Sequence, residues 1–236
     1  MNKIRVSAVS YTNTKPFIYG LEHSGILNSI DLSLDNPSEC AEKLIDDKAD
    51  IGLVPVAALT SIANYEIISD YCIGADGAVD SVFIFSNKPV EKIRTLRLDP
   101  QSRTSNALAG MLLKEYWKTD VQFIQSGDAD AYVEIGDRTF GKKNQVGFVY
   151  DLALAWKEFT GLPFVFAVWV TNKKIDEDFI DKFNTALKYG LDHRADLLRV
   201  SCQNSEIDLE DYLMNKINYF LTAEKREAIS KFLNLV

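Results

Sequence analysis

Histidine is nearly absent from this chain of 236 residues: His23 and His193 are the only two. Both stand in helical stretches among polar neighbours and read as solvated helix positions, which leaves no candidate for a histidine base or a histidine metal site. Cysteine is as sparse. Cys40, Cys72 and Cys202 are odd in number, far apart and without a CxxC spacing, so neither a disulfide framework nor a zinc site is expected. Cys72 and Cys202 read as small buried apolar residues or inert surface thiols. Basic excess is missing too. The formal net charge is −8, and no broad basic face is available to displace phosphate counterions, so nucleic acid is not expected as a partner. Neither a Gly-rich phosphate loop nor a GxSxG elbow occurs, and no cofactor is expected. No apolar run approaches the roughly 18 residues that span a bilayer. "MNKIRVSAV" has no signal-peptide core or small-residue cleavage site. If this is the full gene product, the expectation is a cytoplasmic protein with no membrane association.

What is present alternates. "IRVSAV" reads as a strand with Ile4, Val6 and Ala8 on one face, followed by a helix over Pro16–His23. A strand at Ile30–Leu34, a helix from Ser38 to Lys48 and the strand "DIGLVPV" come next. "YEIISDYCIGA" and "SVFIFS" are further strands, the second apolar enough to be buried on both faces. A second series starts at Thr95–Asp99 and runs through the helix "TSNALAGMLLKEYW", the strands "VQFIQ", "AYVEIG" and "VGFVYDL", and a helix through Trp156. "GLPFVFAVWVTN" is the last strand-like run, and from Asp176 the spacing of Phe179, Phe183, Ala186 and Leu187 is helical, as is that of Leu209, Tyr212, Leu213 and Ile217. Thr222 is placed to cap the final helix. The reading is an α/β fold of two lobes: residues 1–88 with 170–236 in one, 89–169 in the other, and a helical tail. Crossovers near Phe85–Lys92 and Phe166–Asn172 would leave a cleft between the lobes, where small-molecule sites concentrate.

Two strand-to-helix corners carry more donors than a turn needs. In "VSYTNTKPFIYGL", Pro16 suits a first helical turn and Asn13 or Thr14 could cap it, but capping leaves Ser10, Tyr11 and Asn13 without a task. Free amides at such a terminus favour a carboxylate or phosphate. "LDPQSRTSNAL" repeats the pattern with Ser102, Thr104 and Ser105, and Arg103 offers a guanidinium fork for a carboxylate. One such corner in each lobe fits a dianion held between them. Gly74, Gly77 and Ala78 allow close backbone approach before a strand that starts at Ser81, a further donor. Asp137 in "EIGDRTF" reads equally as a base, an orienter or an N-cap.

Six stretches in order, "VSYTNTKPFIYGL", "DIGLVPVAAL", "CIGADGAVDSVFIFS", "LRLDPQSRTSNALAGMLL", "VEIGDRTF" and "YDLALAWKEFTGLPFVFAVW", make the chain resemble the chorismate dehydratases of the futalosine route to menaquinone. The resemblance covers nearly the whole chain. It implies a fold similar to type 2 periplasmic binding proteins and a reaction in which the dicarboxylate chorismate loses water to give aromatic 3-[(1-carboxyvinyl)oxy]benzoate. It implies Asn13, with Ser10 and Tyr11, on one wall, and Ser102, Arg103, Thr104 and Ser105 on the other, holding a carboxylate. Ser81 and Asp137 join them, and the proton acceptor is either Asp137 or a carboxylate of the substrate. The chain departs from the family pattern at Ala153, where glycine is common, and at "DRTF", where "DAAL"-like endings are common. Three other readings share the fold. A solute-binding protein would carry an export signal, the sister 1,4-dihydroxy-6-naphthoate synthase would carry a histidine in the cleft, and a transcription-factor effector domain would carry a DNA-binding segment.

Overall fold

Strand β1 (Ile4–Val9) runs between two parallel neighbours, β2 (Ile30–Asp35) and β3 (Ile51–Pro55). Ile4, Val6 and Ala8 share one face, as expected, and the last four residues are all buried, so the face of Ser7 and Val9 is covered as well. An interior strand with helices on both sides of its sheet has no wet face. This structure, a computed structural model, describes residues 3–200 and 206–236. Cys202 lies outside the described residues. Cys72 is buried, as the sequence suggests, and so is Cys40.

With β4 (Glu66–Ala75), β10 (Phe164–Thr171) and β11 (Asn218–Phe220), these strands form one sheet in the order β11-β4-β10-β3-β1-β2. The second sheet has the order β7-β6-β8-β5-β9, from β5 (Val82–Ser86), β6 (Thr95–Arg97), β7 (Gln122–Ile124), β8 (Ala131–Ile135) and β9 (Phe148–Asp151). Helices α1 (Lys15–His23), α2 (Pro37–Ile45), α5 (Glu177–Asp192), α6 (Arg194–Val200) and α8 (Ala223–Leu235) belong with the first sheet. Helices α3 (Arg103–Glu115) and α4 (Leu152–Thr160) pack on each other and on the second sheet.

Sheet membership moves both crossovers away from the expected positions. β5 is buried along its whole length, as its composition predicts, but it sits between β8 and β9 in the second sheet. The chain therefore leaves the first sheet between Ala75 and Val82, turning through Gly77 at φ +109° and Asp80 at φ +60°. It returns between α4 and β10, where Gly161 at φ +76° ends the helix and Pro163 prevents its continuation. Boundaries at 88/89 and 169/170 would leave β5 with the wrong sheet and cut through β10. An apolar run reports burial but not the sheet in which it is buried. Of the glycines expected to allow close approach, Gly74 admits β10 and the Lys225 side chain: a Cβ there would lie 2.7 Å from the Phe164 carbonyl.

The tail is not wholly helical. After α7 (Leu209–Asp211) the backbone widens into a π-helical turn, Tyr212–Lys216, and then forms β11 against the edge of β4. Thr222 caps α8 as expected, its hydroxyl accepting from the Lys225 amide.

Asp50 closes one end of the first sheet. It accepts from the Arg5 amide at 2.8 Å, the Arg5 guanidinium at 2.8 and 3.1 Å, and Lys173 Nζ at 2.8 Å. The Arg5 contacts, with Lys173 behind them and against the effect of burial, hold its carboxyl well below the usual carboxylate range. A depressed carboxylate stabilises the fold above its unfolded pKa of about 3.9, and that contribution is lost as pH falls below it. Asp50→Asn is therefore expected to destabilise by about 1 kcal/mol near neutrality, a figure reduced for solvent screening. The gap from wild type should close as thermal melts are taken below about pH 4.

Candidate active site between the two sheets

The carboxyl ends of β1, β2 and β3 and the carboxyl ends of β6 and β8 face one another, the usual position for ligands in open α/β sheets. Between them lies a cleft that opens to solvent, with about 540 Å³ of atom-free space when the open solvent at its mouth is included. Its walls are mostly apolar, with Val9, Pro55, Ile73, Val79, Ile135 and Phe166 among them. Polar groups reach it at two places. Asn13 and Thr14 come from the corner after β1, and Ser102, Thr104 and Ser105 from the start of α3. Ser81, just before β5, and Tyr11 complete the polar set.

The corner after β1 is a 3-10 turn, Thr12–Thr14, running directly into α1, with Pro16 in the first helical turn. Thr14 stands at the N-cap without a side-chain capping bond; its hydroxyl donates to Asn13 Oδ1 at 3.2 Å. The corner's hydroxyls and amides are thus not spent on capping. The Asn13 carbonyl accepts from the Tyr219 hydroxyl at 2.9 Å, which fixes the backbone from the tail. Tyr212 Oη lies 2.8 Å from Ser81 Oγ. Burial pushes both phenols far above the ordinary tyrosine range, so each stays protonated as a donor.

At the second corner Ser102 is the N-cap of α3, its Oγ accepting from the Ser105 amide at 3.1 Å. The amides of Arg103 and Thr104 stand in the first turn, where no intrahelical acceptor exists, and the helix dipole concentrates positive potential at the cavity. Asp99 holds this corner in shape. Its side chain is fully buried and accepts from the Gln101 amide at 2.8 Å, the Ile135 amide at 3.2 Å and the Arg138 guanidinium at 2.6 Å. Asp151 does the same for the loop before Ser81. It caps α4 and accepts from the Val79 and Asp80 amides at 3.0 and 2.8 Å, while burial pushes its carboxyl up to about 6.

Of the residues singled out from sequence, six line the cavity: Tyr11, Asn13, Ser81, Ser102, Thr104 and Ser105. Three do not. Ser10 is exposed, and its amide donates to the Asp35 carbonyl. Arg103 projects to solvent and reaches Glu42 of α2 at 3.4 Å. Asp137 is exposed and accepts from the Thr12 amide at 3.1 Å and the Thr12 hydroxyl at 2.9 Å.

Several predicted donors turn out to join the two halves. Tyr11 packs its ring against Gly136, where a Cβ would lie 3.1 Å away and φ is +65°. Its hydroxyl donates to Gln101 Oε1, and burial raises the phenol against the pull of Arg138. Thr104 Oγ1 accepts from the Ala57 amide at 3.1 Å. Sequence reasoning missed Asp99, Gln101, Arg138, Tyr212 and Tyr219. Only the "DRTF" departure marked one of them in advance.

Among the described residues, no group of three or more His, Cys, Asp or Glu is placed to hold a metal ion, and no helix is long and apolar enough to cross a membrane.

Comparison with known proteins identifies the family and the fold. A family model described as menaquinone biosynthesis matches residues 4–236. A curated protein of Campylobacter jejuni, named chorismate dehydratase, is 30% identical over 151 residues. That match takes in 61% of this chain and 59% of the relative, less than two thirds of its length. A solved structure of a protein from Archaeoglobus fulgidus superposes with a TM-score of 0.76 at 13% identity, over 99% of this chain and 96% of that one. A Candida albicans gene product described as having the generic periplasmic binding protein fold superposes at 0.58 with 11% identity, over 100% and 95% of the two chains. The two-sheet architecture is thus a periplasmic-binding-protein fold.

Proposed function

Because the chain belongs to the menaquinone biosynthesis family, we propose that this cavity binds chorismate and eliminates water from it to give 3-[(1-carboxyvinyl)oxy]benzoate. One observation carries the reading: two donor-rich corners, one from each sheet, converge on a single apolar cavity. Such a site suits a flat ring bearing two carboxylates. The start of α3 takes one carboxylate through its first-turn amides and the Ser105 hydroxyl, without Arg103. The apolar walls, Phe166 among them, receive the ring, and Asn13 and Ser81 face its polar edge.

The reaction removes the hydrogen on the ether-bearing ring carbon and the hydroxyl on its neighbour. Aromatisation supplies the driving force, so the protein's part is to orient the ring, exclude water and hydrogen-bond the departing oxygen. Of the two acceptors left open by the sequence, the substrate's own carboxylate is favoured. Asp137 is engaged by Thr12 and does not line the cavity. Asp137→Asn is expected to keep turnover within a few-fold of wild type, well inside the losses typical of a missing base. A loss of a hundredfold or more at unchanged stability would restore Asp137 as the base. A cytoplasmic location belongs to the same proposal, as suits an enzyme that consumes chorismate.

The reading is tested by incubating the purified chain with chorismate and following product by mass spectrometry. The dehydrated aromatic ether is expected. Chorismate bound but recovered intact would favour a solute-binding role instead.

A further inference from the structure

We propose that Tyr212, from the tail, is a positioning residue for this elimination: its hydroxyl fixes Ser81 so that the serine O–H points into the cavity as a donor to the departing hydroxyl oxygen. This rests on the dehydratase reading and adds to it a residue that no motif of the cleft contains.

Tyr212 and Ser81 are 131 positions apart in sequence, each about 1% exposed, with their oxygens 2.8 Å apart. A serine hydroxyl has one proton to give. Whether it is given to the tyrosine or to the cavity depends on what the phenol oxygen already accepts. The Asn13 side chain stands beside that same phenol and works against the effect of burial on it, as a donor would. The Thr14 hydroxyl donates to Asn13 Oδ1 at 3.2 Å, and the proposal assigns the Asn13 NH2 to the tyrosine. The direction of the whole chain follows: Thr14 to Asn13, Asn13 to Tyr212, Tyr212 to Ser81. Ser81 is left as the terminal donor, and the space beside it is the cavity. Successive donors in a dry site polarise one another, which strengthens the last one.

The backbone is arranged for this contact. Tyr212 opens the π-helical turn Tyr212–Lys216, a geometry frequent at functional sites. The Ile217 amide closes that turn on the Tyr212 carbonyl at 3.0 Å. Phe140 meets the Tyr212 ring edge-on at 5.4 Å and 79°, fixing its plane. The neighbouring Tyr219 holds the Asn13 carbonyl, so two tail tyrosines orient the two sides of the reaction centre.

The step balances without an outside reagent. The substrate carboxylate takes the proton from the ether-bearing carbon, the C–H electron pair forms the new ring double bond, and the C–O electron pair leaves with the hydroxyl oxygen, stabilised by the Ser81 hydrogen bond. That oxygen receives the ring proton relayed by the substrate carboxylate and departs as water.

The test is a double-mutant cycle of Tyr212→Phe and Ser81→Ala, read as kcat, KM and melting temperature with chorismate. Tyr212→Phe keeps the ring and its packing on Phe140. It is expected to lower kcat by about tenfold to a hundredfold, with KM within about twofold and a folded chain. Ser81→Ala should lose at least as much, and the double variant should be no worse than Ser81→Ala alone. A wild-type kcat for Tyr212→Phe, or losses that multiply in the double variant, would overturn the inference and leave the dehydratase reading standing. A Tyr212→Phe chain that does not fold would also overturn it, by assigning the phenol to structure. A wild-type protein that leaves chorismate intact overturns both together.

Discussion

Asn13→Ala is expected to lower kcat for chorismate by about a hundredfold to a thousandfold, with the fold and the melting temperature nearly unchanged. The side chain is not part of a cap. Its Oδ1 accepts from Thr14, and it lines the cavity with Ser81. The backbone at this position is held independently, by the Tyr219 hydroxyl on the Asn13 carbonyl, so the corner keeps its course without the amide. Truncation removes a hydrogen-bonding group at the reacting edge and breaks the donor chain that ends at Ser81. Steady-state kinetics beside a thermal melt separate the two effects. If Asn13→Ala retains both binding and turnover, the corner after β1 is only a turn.

Gly190→Ala is expected to be the most damaging single methyl in the molecule. Helices α1 and α5 approach so closely that a Cβ on Gly190 would lie 1.8 Å from the Pro16 carbonyl oxygen, and one on Gly20 would lie 2.1 Å from the Ala186 carbonyl oxygen. The obstacles are backbone atoms, which cannot rotate aside as a side chain can. Overpacking in cores usually costs about 1–3 kcal/mol, and this case belongs at or beyond the upper end. For a chain of this size that is a fall in melting temperature of roughly 6–12 °C. The function should suffer with the fold, because Pro16 stands in the first turn of α1, two residues after Thr14. A helix pushed off α5 carries the Asn13 corner with it. Unchanged melting of Gly190→Ala would contradict this view of how α1 is seated.

The fold was legible wherever a local rule decided it. The alternation of strand and helix, the full burial of "SVFIFS" and the Thr222 cap all follow from periodicity and capping chemistry. What failed depended on contacts between distant segments. The apolar run of β5 does not say which sheet it joins, and three residues of β11 are too few to show a strand pattern. The donor-rich corners were visible as such, but not the use of each donor. Tyr11, Thr12 and Thr104 bind the opposite half of the protein, tasks invisible without their partners Gln101, Asp137 and Ala57. Arg103 follows Ser102 in the same corner yet faces solvent, because consecutive residues on a helix point about 100° apart. Tyr212 kept helical spacing with Leu209 and Leu213 and so read as core. It is core by burial, and its hydroxyl adds a second role that no spacing encodes.

The most direct measurement is a crystal structure of the chain with chorismate or its dehydrated product bound. One carboxylate should lie within hydrogen-bond reach of the first-turn amides of α3. The ring should rest in the apolar part of the cavity beside Phe166, and Asn13 and Ser81 should meet the edge that loses water. A ligand found elsewhere, such as the polar cleft lined by Lys143, Asp208 and Lys216, would contradict the assignment of this cavity as the site of dehydration.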